Sequence, residues 1–229
     1  MIWQGFPLFC YGSSSSKGKF FGAGVILSSH EDAESWDFLF EYLKTKVPSP
    51  PKVNLSDGDG GITKSLKKQF HGHTRRCMCF SHVYNNTRKR IKSVESEDKK
   101  TAHDILDDIK NLQWSAPNEK TFDFVYDLLV KKWKNRPMGS RLKLLVKEFF
   151  DDYFTPQWVT SELKYWFEMA NPFHLGNNQG LEGTNKAIKD SHTFRLRMRI
   201  PAFFNCMFDL VTGWSEKEDK EIFESRYEN

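Results

Sequence analysis

A carboxylate set directly behind an apolar run, in a glycine-rich turn that opens an amphipathic helix, is the feature that most constrains how this chain folds. It lies in the stretch Leu55 to His82, LSDGDGGITKSLKKQFHGHTRRCMCFSH. Ser56, Asp57, Gly58, Asp59, Gly60 and Gly61 form the acidic turn. Ile62, Leu66 and Phe70 then recur every fourth residue, while Lys64, Lys67 and Lys68 point elsewhere, a helical pattern with one apolar and one basic face. A strand closing on Cys79 and His82 follows. A carboxylate at the carboxyl end of a strand, leading straight into a helix, is where an open α/β sheet places its chemistry.

The segments before this stretch complete a sheet pattern. Phe6 to Gly12 and Lys19 to Ser28 are aromatic and β-branched runs on either side of SSSSKG, a flexible turn composition, and read as a β-hairpin. Ser28 and Ser29 are candidate caps for a helix with Glu31, Asp32 and Glu34 in its first turn and Trp36, Leu39, Phe40 and Leu43 on one face. Val47-Pro48-Ser49-Pro50-Pro51 stops that helix, and Lys52 to Leu55 returns as a strand. The order β-β-α-β-α-β predicts an α/β fold with a mixed sheet and helices on its faces.

From Tyr84 the character changes. NNTRKRIKSVESEDKK is charged and poor in apolar residues, and the pattern after it is helical. One helix is marked by Ala102, Ile105, Leu106, Ile109 and Leu112. A second carries Phe122, Val125, Leu129 and Trp133, and a third Leu142, Leu145, Val146, Phe149 and Tyr153. A fourth, with Val159, Leu163, Trp166, Phe167 and Ala170, is expected after Thr155-Pro156. Asn171 to Gly180 is a loop by composition. Beyond it, Leu181, Thr184 and Ile188 share one helical face and Glu182, Asn185, Lys186 and Lys189 another. Alternating arginines (Arg195, Arg197, Arg199) precede a last helix after Pro201. The expected division is a partial α/β part at 1–83, a helical insertion at 84–176, and C-terminal helices at 177–229 that return to the α/β part.

Of the 229 residues 38% are hydrophobic and 15% aromatic, which is globular rather than disordered, whereas a net charge of +4 is too weak to name a polyanionic partner by itself. No run approaches the about 18 apolar residues of a membrane span, so a soluble, intracellular protein without a membrane partner is expected. Four cysteines (Cys10, Cys77, Cys79, Cys206) in a chain this long do not make a secreted disulfide framework.

Taken together, WQGFP (Trp3 to Pro7), LSDG (Leu55 to Gly58), MCFSH with its CxxH (Met78 to His82), Asn85-Asn86 with basic residues after them, and GLEGTNKAIK (Gly180 to Lys189) resemble the catalytic region of Mutator-like element (MULE) transposases, a DDE family of RNase H-like fold. The resemblance runs through nearly the whole chain. It implies a nuclear, DNA-binding enzyme of DNA recombination and transposition that is a homo-oligomer when intact. It also implies a two-metal phosphoryl-transfer site in which carboxylates hold Mg2+ or Mn2+ ions roughly 4 Å apart. Asp57 matches the family's second aspartate and Glu182 its glutamate, both as catalytic and as metal-holding residues. Cys79, His82, Arg88, Arg90, Asn185, Lys186, Lys189, Arg195 and Arg197 are the residues it places against DNA.

The family's first aspartate belongs just before the segment matching Trp3 to Pro7 and is not in this sequence. The strand that carries it is the central one of the RNase H-like sheet, so the expected fold is an incomplete mixed sheet with a large all-helical insertion. The expectation is therefore a transposase remnant without strand-transfer activity. Two alternatives stand beside it: a domesticated, non-enzymatic DNA-binding or chromatin protein, and a Mg2+-dependent nuclease using Asp59 as a substitute ligand. Asp59 is a competing ligand or a helix cap, and spacing alone does not separate the two. Cys77, Cys79 and His82, with His71 and His73 nearby, also permit a zinc reading, although no second ligand pair sits at finger spacing. The basic set is completed by Lys64, Lys67, Lys68, Arg75, Arg76, Lys89 and Arg199, which suit sequence-independent contacts to a DNA backbone.

Overall fold

The computed structural model describes residues 2–3, 6–15, 19–171, 179–192 and 198–227. They form a mixed α/β fold in which helix predominates and the sheets are small. Strands β1 (Ile2–Trp3), β2 (Phe6–Ser14) and β3 (Phe20–Leu27) make an antiparallel sheet in the order β1-β2-β3. After helix α1 (Ala33–Lys46), strand β4 (Val53–Ser56), helix α2 (Gly60–Phe70) and strand β5 (Arg75–Met78) form a parallel β-α-β unit, with Leu55 opposite Cys77 and Ser56 opposite Met78.

The hairpin is buried on both faces, and its period of two shows how. Leu8, Cys10, Val25 and Leu27 point to one side, against Ile188, Phe203, Met207 and Leu210. Phe9, Tyr11 and Ile26 point to the other, where Phe9 lies 4.3 Å from the Trp36 ring, beside Leu39, Phe40 and the Ile62–Leu66–Phe70 face of α2. A bulge at Tyr11 and Gly12 twists the hairpin. On β3, Gly22 lies under the Trp214 ring, where a β-carbon would collide with it.

Helix α2 is capped as its sequence dictates. The Asp59 carboxylate accepts the Ile62 N–H at 3.0 Å. Its other end closes on His71 and Gly72 in the left-handed region (φ 48° and 78°), a conformation that glycine adopts at no steric cost. Helix α1 begins later than the serines suggest. Asp32, not Ser28 or Ser29, is the cap, accepting the Ser35 N–H at 3.0 Å, because a charged acceptor at the helix N-terminus also meets the dipole.

Between α1 and α2, the Asp37 carboxylate accepts from Lys68 and from the buried Ser65 hydroxyl, both at 2.5 Å. These hydrogen bonds, that of Lys68 first, hold the Asp37 pKa below the ordinary carboxylate value. A lowered folded-state pKa contributes stability that is present above the unfolded value, about 3.9, and is lost as pH falls through the folded one. Asp37→Asn should therefore cost about 1 kcal/mol at neutral pH, a small figure because solvent screens the exposed Lys68. Urea unfolding at pH 7 and at acid pH checks this: the gap between variant and wild type should close in acid.

The remaining helices are α3 (Phe80–Arg90), α4 (Lys92–Glu97), α5 (Lys99–Ser115), α6 (Glu119–Asn135), α7 (Ser140–Glu148), α8 (Thr155–Trp158), α9 (Gln179–Ala187) and α10 (Ile200–Tyr227). Residues Phe149–Phe154 and Ile188–His192 are π-helical continuations of α7 and α9. Asp98 and Asn118 cap α5 and α6 through the N–H groups of Thr101 and Thr121. One core unites β5 with α3 to α8, from Cys77 and Met78 through Ile105, Ile109, Phe122 and Trp133 to Trp158, Trp166 and Phe167.

Several expectations are corrected. The strand predicted to close on His82 ends at Met78, and His82 sits in the first turn of α3. The fourth helix predicted through Ala170 stops at Trp158, apart from a 3-10 turn at Glu168–Ala170. The intervening chain instead runs beside β5, where Met78 N–H donates to the Tyr165 carbonyl and the Arg75 guanidinium to the Ala170 carbonyl. These contacts with a distant strand override the helical spacing. The single mixed sheet is in fact two: among the described residues no strand joins the hairpin sheet to β4-β5, so their facing edges do not pair.

Candidate functional site

Asp57 follows β4 directly and is half-buried. Its carboxylate accepts the Asp59 N–H at 3.3 Å. Below it runs Arg76, only 8% exposed. The Arg76 guanidinium donates to the Asp57 carbonyl and the Ser56 hydroxyl, and to the Cys77 carbonyl at 3.2 Å. Burial pushes its pKa down to about 10, while the charges of Asp57 and Asp59 work to raise it. The acidic turn is thus built on a buried cation, and Arg76 serves the turn from beneath it. Asp59 spends an oxygen on the α2 cap, which favours the capping role over that of a ligand.

The start of α3 abuts the same turn. Cys79 is the N-cap, fully buried, and its N–H donates to the Ser56 carbonyl at 3.0 Å, tying α3 to the end of β4. One turn on, His82 returns beside it, since residues three apart at a helix start share a face. From the far end of the chain, α9 brings in Glu182, its Oε1 3.8 Å from His82 Nδ1. The Cys79 sulfur, a His82 ring nitrogen and a Glu182 oxygen all lie within 4.8 Å of one another. The His82 pKa is raised, first by its hydrogen bond with Cys79, with the charges of Asp57 and Glu182 adding and burial opposing. His82 Nδ1 and, on α9, Asn185 Oδ1 are buried atoms without a hydrogen-bond partner.

The other sequence candidates scatter. Arg88 and Arg90 end α3 on the surface, with Arg90 5.7 Å from the centre of the Tyr153 ring. Lys186 is exposed and Lys189 half-buried in the π-helical continuation of α9. Arg195 and Arg197 lie outside the described residues. On α2, Lys67 pairs with Glu162 and Lys68 with Asp37, while Arg75 rests 5.4 Å from the centre of the Tyr165 ring. These interactions commit cations that the sequence alone presents as a free basic face.

A divalent cation of the hard, oxygen-loving kind fits this cluster poorly. Mg2+ favours an octahedron of oxygens, and Glu182 is the one carboxylate in a group completed by a thiol and an imidazole. The Cys79–His82 spacing was legible in the sequence. No local pattern pairs them with Glu182, which only the family resemblance placed at the same site; in the fold Ile188, just past α9, packs against the hairpin.

A comparison with curated proteins finds no match to the chain. Residues 4–86, from the hairpin through the acidic turn to the first half of α3, match the family model described as the MULE transposase domain. Over these residues the chain is similar to the MULE transposase domain.

Proposed function

We propose that the chain derives from the catalytic domain of a MULE-type DDE transposase on an incomplete RNase H-like scaffold, and that it binds the DNA backbone without cleaving it. The observation that carries this reading is that α9 brings Glu182 from the far end of the chain to within 3.8 Å of His82, at the head of the helix that Cys79 N–H ties to Ser56, the residue before Asp57. The split sheet supports it as well. The hairpin sheet and the parallel β4-β5 pair are separate among the described residues, and β4 has β5 on one side only, as expected where a mixed sheet lacks a strand. Divalent-metal chemistry at a phosphodiester belongs to the family in general, and the residues described here supply two of the carboxylates such chemistry uses. DNA contact is ascribed to Arg88, Arg90 and Lys186 on the exposed surfaces of α3 and α9, with Asn185 and Lys189 beside them. A nuclear location accompanies that role.

Fluorescence anisotropy with labelled duplexes of unrelated sequence tests the binding. Affinity should fall steeply with salt and be indifferent to sequence. Replacing Arg88 and Lys186 together by Glu should weaken binding and flatten the salt slope by about two charges. Affinity unchanged by salt or by these replacements would contradict the backbone-binding reading. Nicking of a supercoiled plasmid in Mg2+ or Mn2+, abolished by Asp57→Asn or Glu182→Gln, would overturn the non-cleaving part.

A further inference from the structure

We propose that Cys79, His82 and Glu182 form a mixed thiolate, imidazole and carboxylate site for a transition metal of the Zn2+ class. The inference goes beyond the transposase reading and does not depend on DNA binding. Its basis is the donor set. Three side chains from two helices bring one sulfur, one nitrogen and one oxygen within 4.8 Å of one another. Thiolate and imidazole are the ligands that Zn2+ and Co2+ take and that Mg2+ does not.

The local geometry suits the assignment. Ligand atoms around a tetrahedral ion, bound at about 2.0 to 2.3 Å, lie roughly 3.3 to 3.8 Å apart. His82 Nδ1 and Glu182 Oε1 are already 3.8 Å apart. Closing the rest falls to Glu182, whose side chain is 50% exposed and has room to turn. Cys79 is fixed at the head of α3 and completely buried, so the sulfur is presented from below. His82 Nδ1 is a buried atom that makes no hydrogen bond and has only Glu182 Oε1 near it, at 3.8 Å, a lone pair that a bound cation would take up. On α9, one turn past Glu182 and on its face, Asn185 Oδ1 is likewise buried without a partner and suits a proton of a metal-bound water in the fourth position. Binding displaces the Cys79 thiol proton to solvent and leaves the neutral imidazole and the ionised carboxylate as the other ligands.

Co2+ titration of the reduced full chain, without DNA, tests the site by absorption. The expected spectrum has a near-ultraviolet thiolate-to-cobalt band and the strong visible bands of a four-coordinate ion. Zn2+ should erase both, and excess Mg2+ neither. Cys79→Ser should remove the thiolate band although Cys10, Cys77 and Cys206 remain. Glu182→Gln should keep the band but weaken Co2+ binding by more than the roughly 10- to 100-fold that losing an outer-shell contact costs. Circular dichroism establishes that each variant is folded. If Cys79→Ser is not, the wild-type spectrum and the exposed Glu182→Gln variant decide. A wild-type spectrum without the thiolate band, displacement by Mg2+ at comparable concentration, or Co2+ affinity unmoved in Glu182→Gln would each overturn the assignment. DNA affinity plays no part in these readouts, so failure here leaves the binding proposal standing and failure there leaves this one.

Discussion

Trp166→Ala should destabilise the chain by about 4 kcal/mol, lowering the melting temperature by roughly 10 °C in a protein of this size. Trp166 is fully buried at the centre of an aromatic cluster. Phe80 stacks on it at 5.9 Å, and Phe122 and Phe154 meet it edge-on at 5.1 and 6.0 Å. Its indole N–H donates to the Trp158 carbonyl at 2.7 Å, so truncation leaves a cavity and a buried acceptor without its donor. Phe80 is also the residue that follows Cys79, which makes the packing of this indole part of what fixes the head of α3. Trp114 supplies the control, since it is 65% exposed and its truncation should change stability by less than about 0.5 kcal/mol. Comparable urea midpoints for the two variants would refute this account of the core.

Arg76→Met should cost about 3 kcal/mol even though the volumes are similar. The guanidinium is buried and donates to the Asp57 carbonyl, the Ser56 hydroxyl and the Cys77 carbonyl, so the substitution strands one buried and two partly buried acceptors. It also removes the nearest cation from beneath Asp57 and Asp59. Arg76→Lys should recover only part of the loss, because an ammonium is a point charge and cannot bridge acceptors on adjoining segments as the planar fork does. Full recovery by lysine in urea unfolding would mean that charge alone matters. A loss below about 1 kcal/mol for methionine would mean that the acceptors find other partners.

Where local chemistry suffices, the sequence predicts the structure well. The spacing of Ile62, Leu66 and Phe70 gives α2 and its buried face, and the aromatic and β-branched runs of Phe6 to Gly12 and Lys19 to Ser28 give the hairpin, whose burial on both sides only the fold shows. Residues 102–112 and 122–133 are helical as their periodicity requires. The failures lie where a distant segment intervenes. Val159 to Ala170 has helical spacing but follows the edge of β5, because β5 needs an acceptor for its Met78 N–H and finds it at Tyr165. Arg75 and Arg76 are indistinguishable from solvated cations in the sequence, and only the fold shows that Arg76 is enclosed.

The acidic turn from Ser56 to Gly61 belongs to the first kind. Apolar strand, Asp-Gly turn and amphipathic helix are each set by neighbours a few residues away, so the position of Asp57 follows from the sequence with little help, whereas the structure shows Asp59 to be the cap. The partners of that turn belong to the second kind. Whether the strands make one sheet or two, which cation lies beneath Asp57, and which carboxylate meets Cys79 and His82 are all decided by contacts across long loops. Their closure entropy is repaid only when the apolar faces of α9 and α10 dock on the hairpin, and no local pattern encodes that docking.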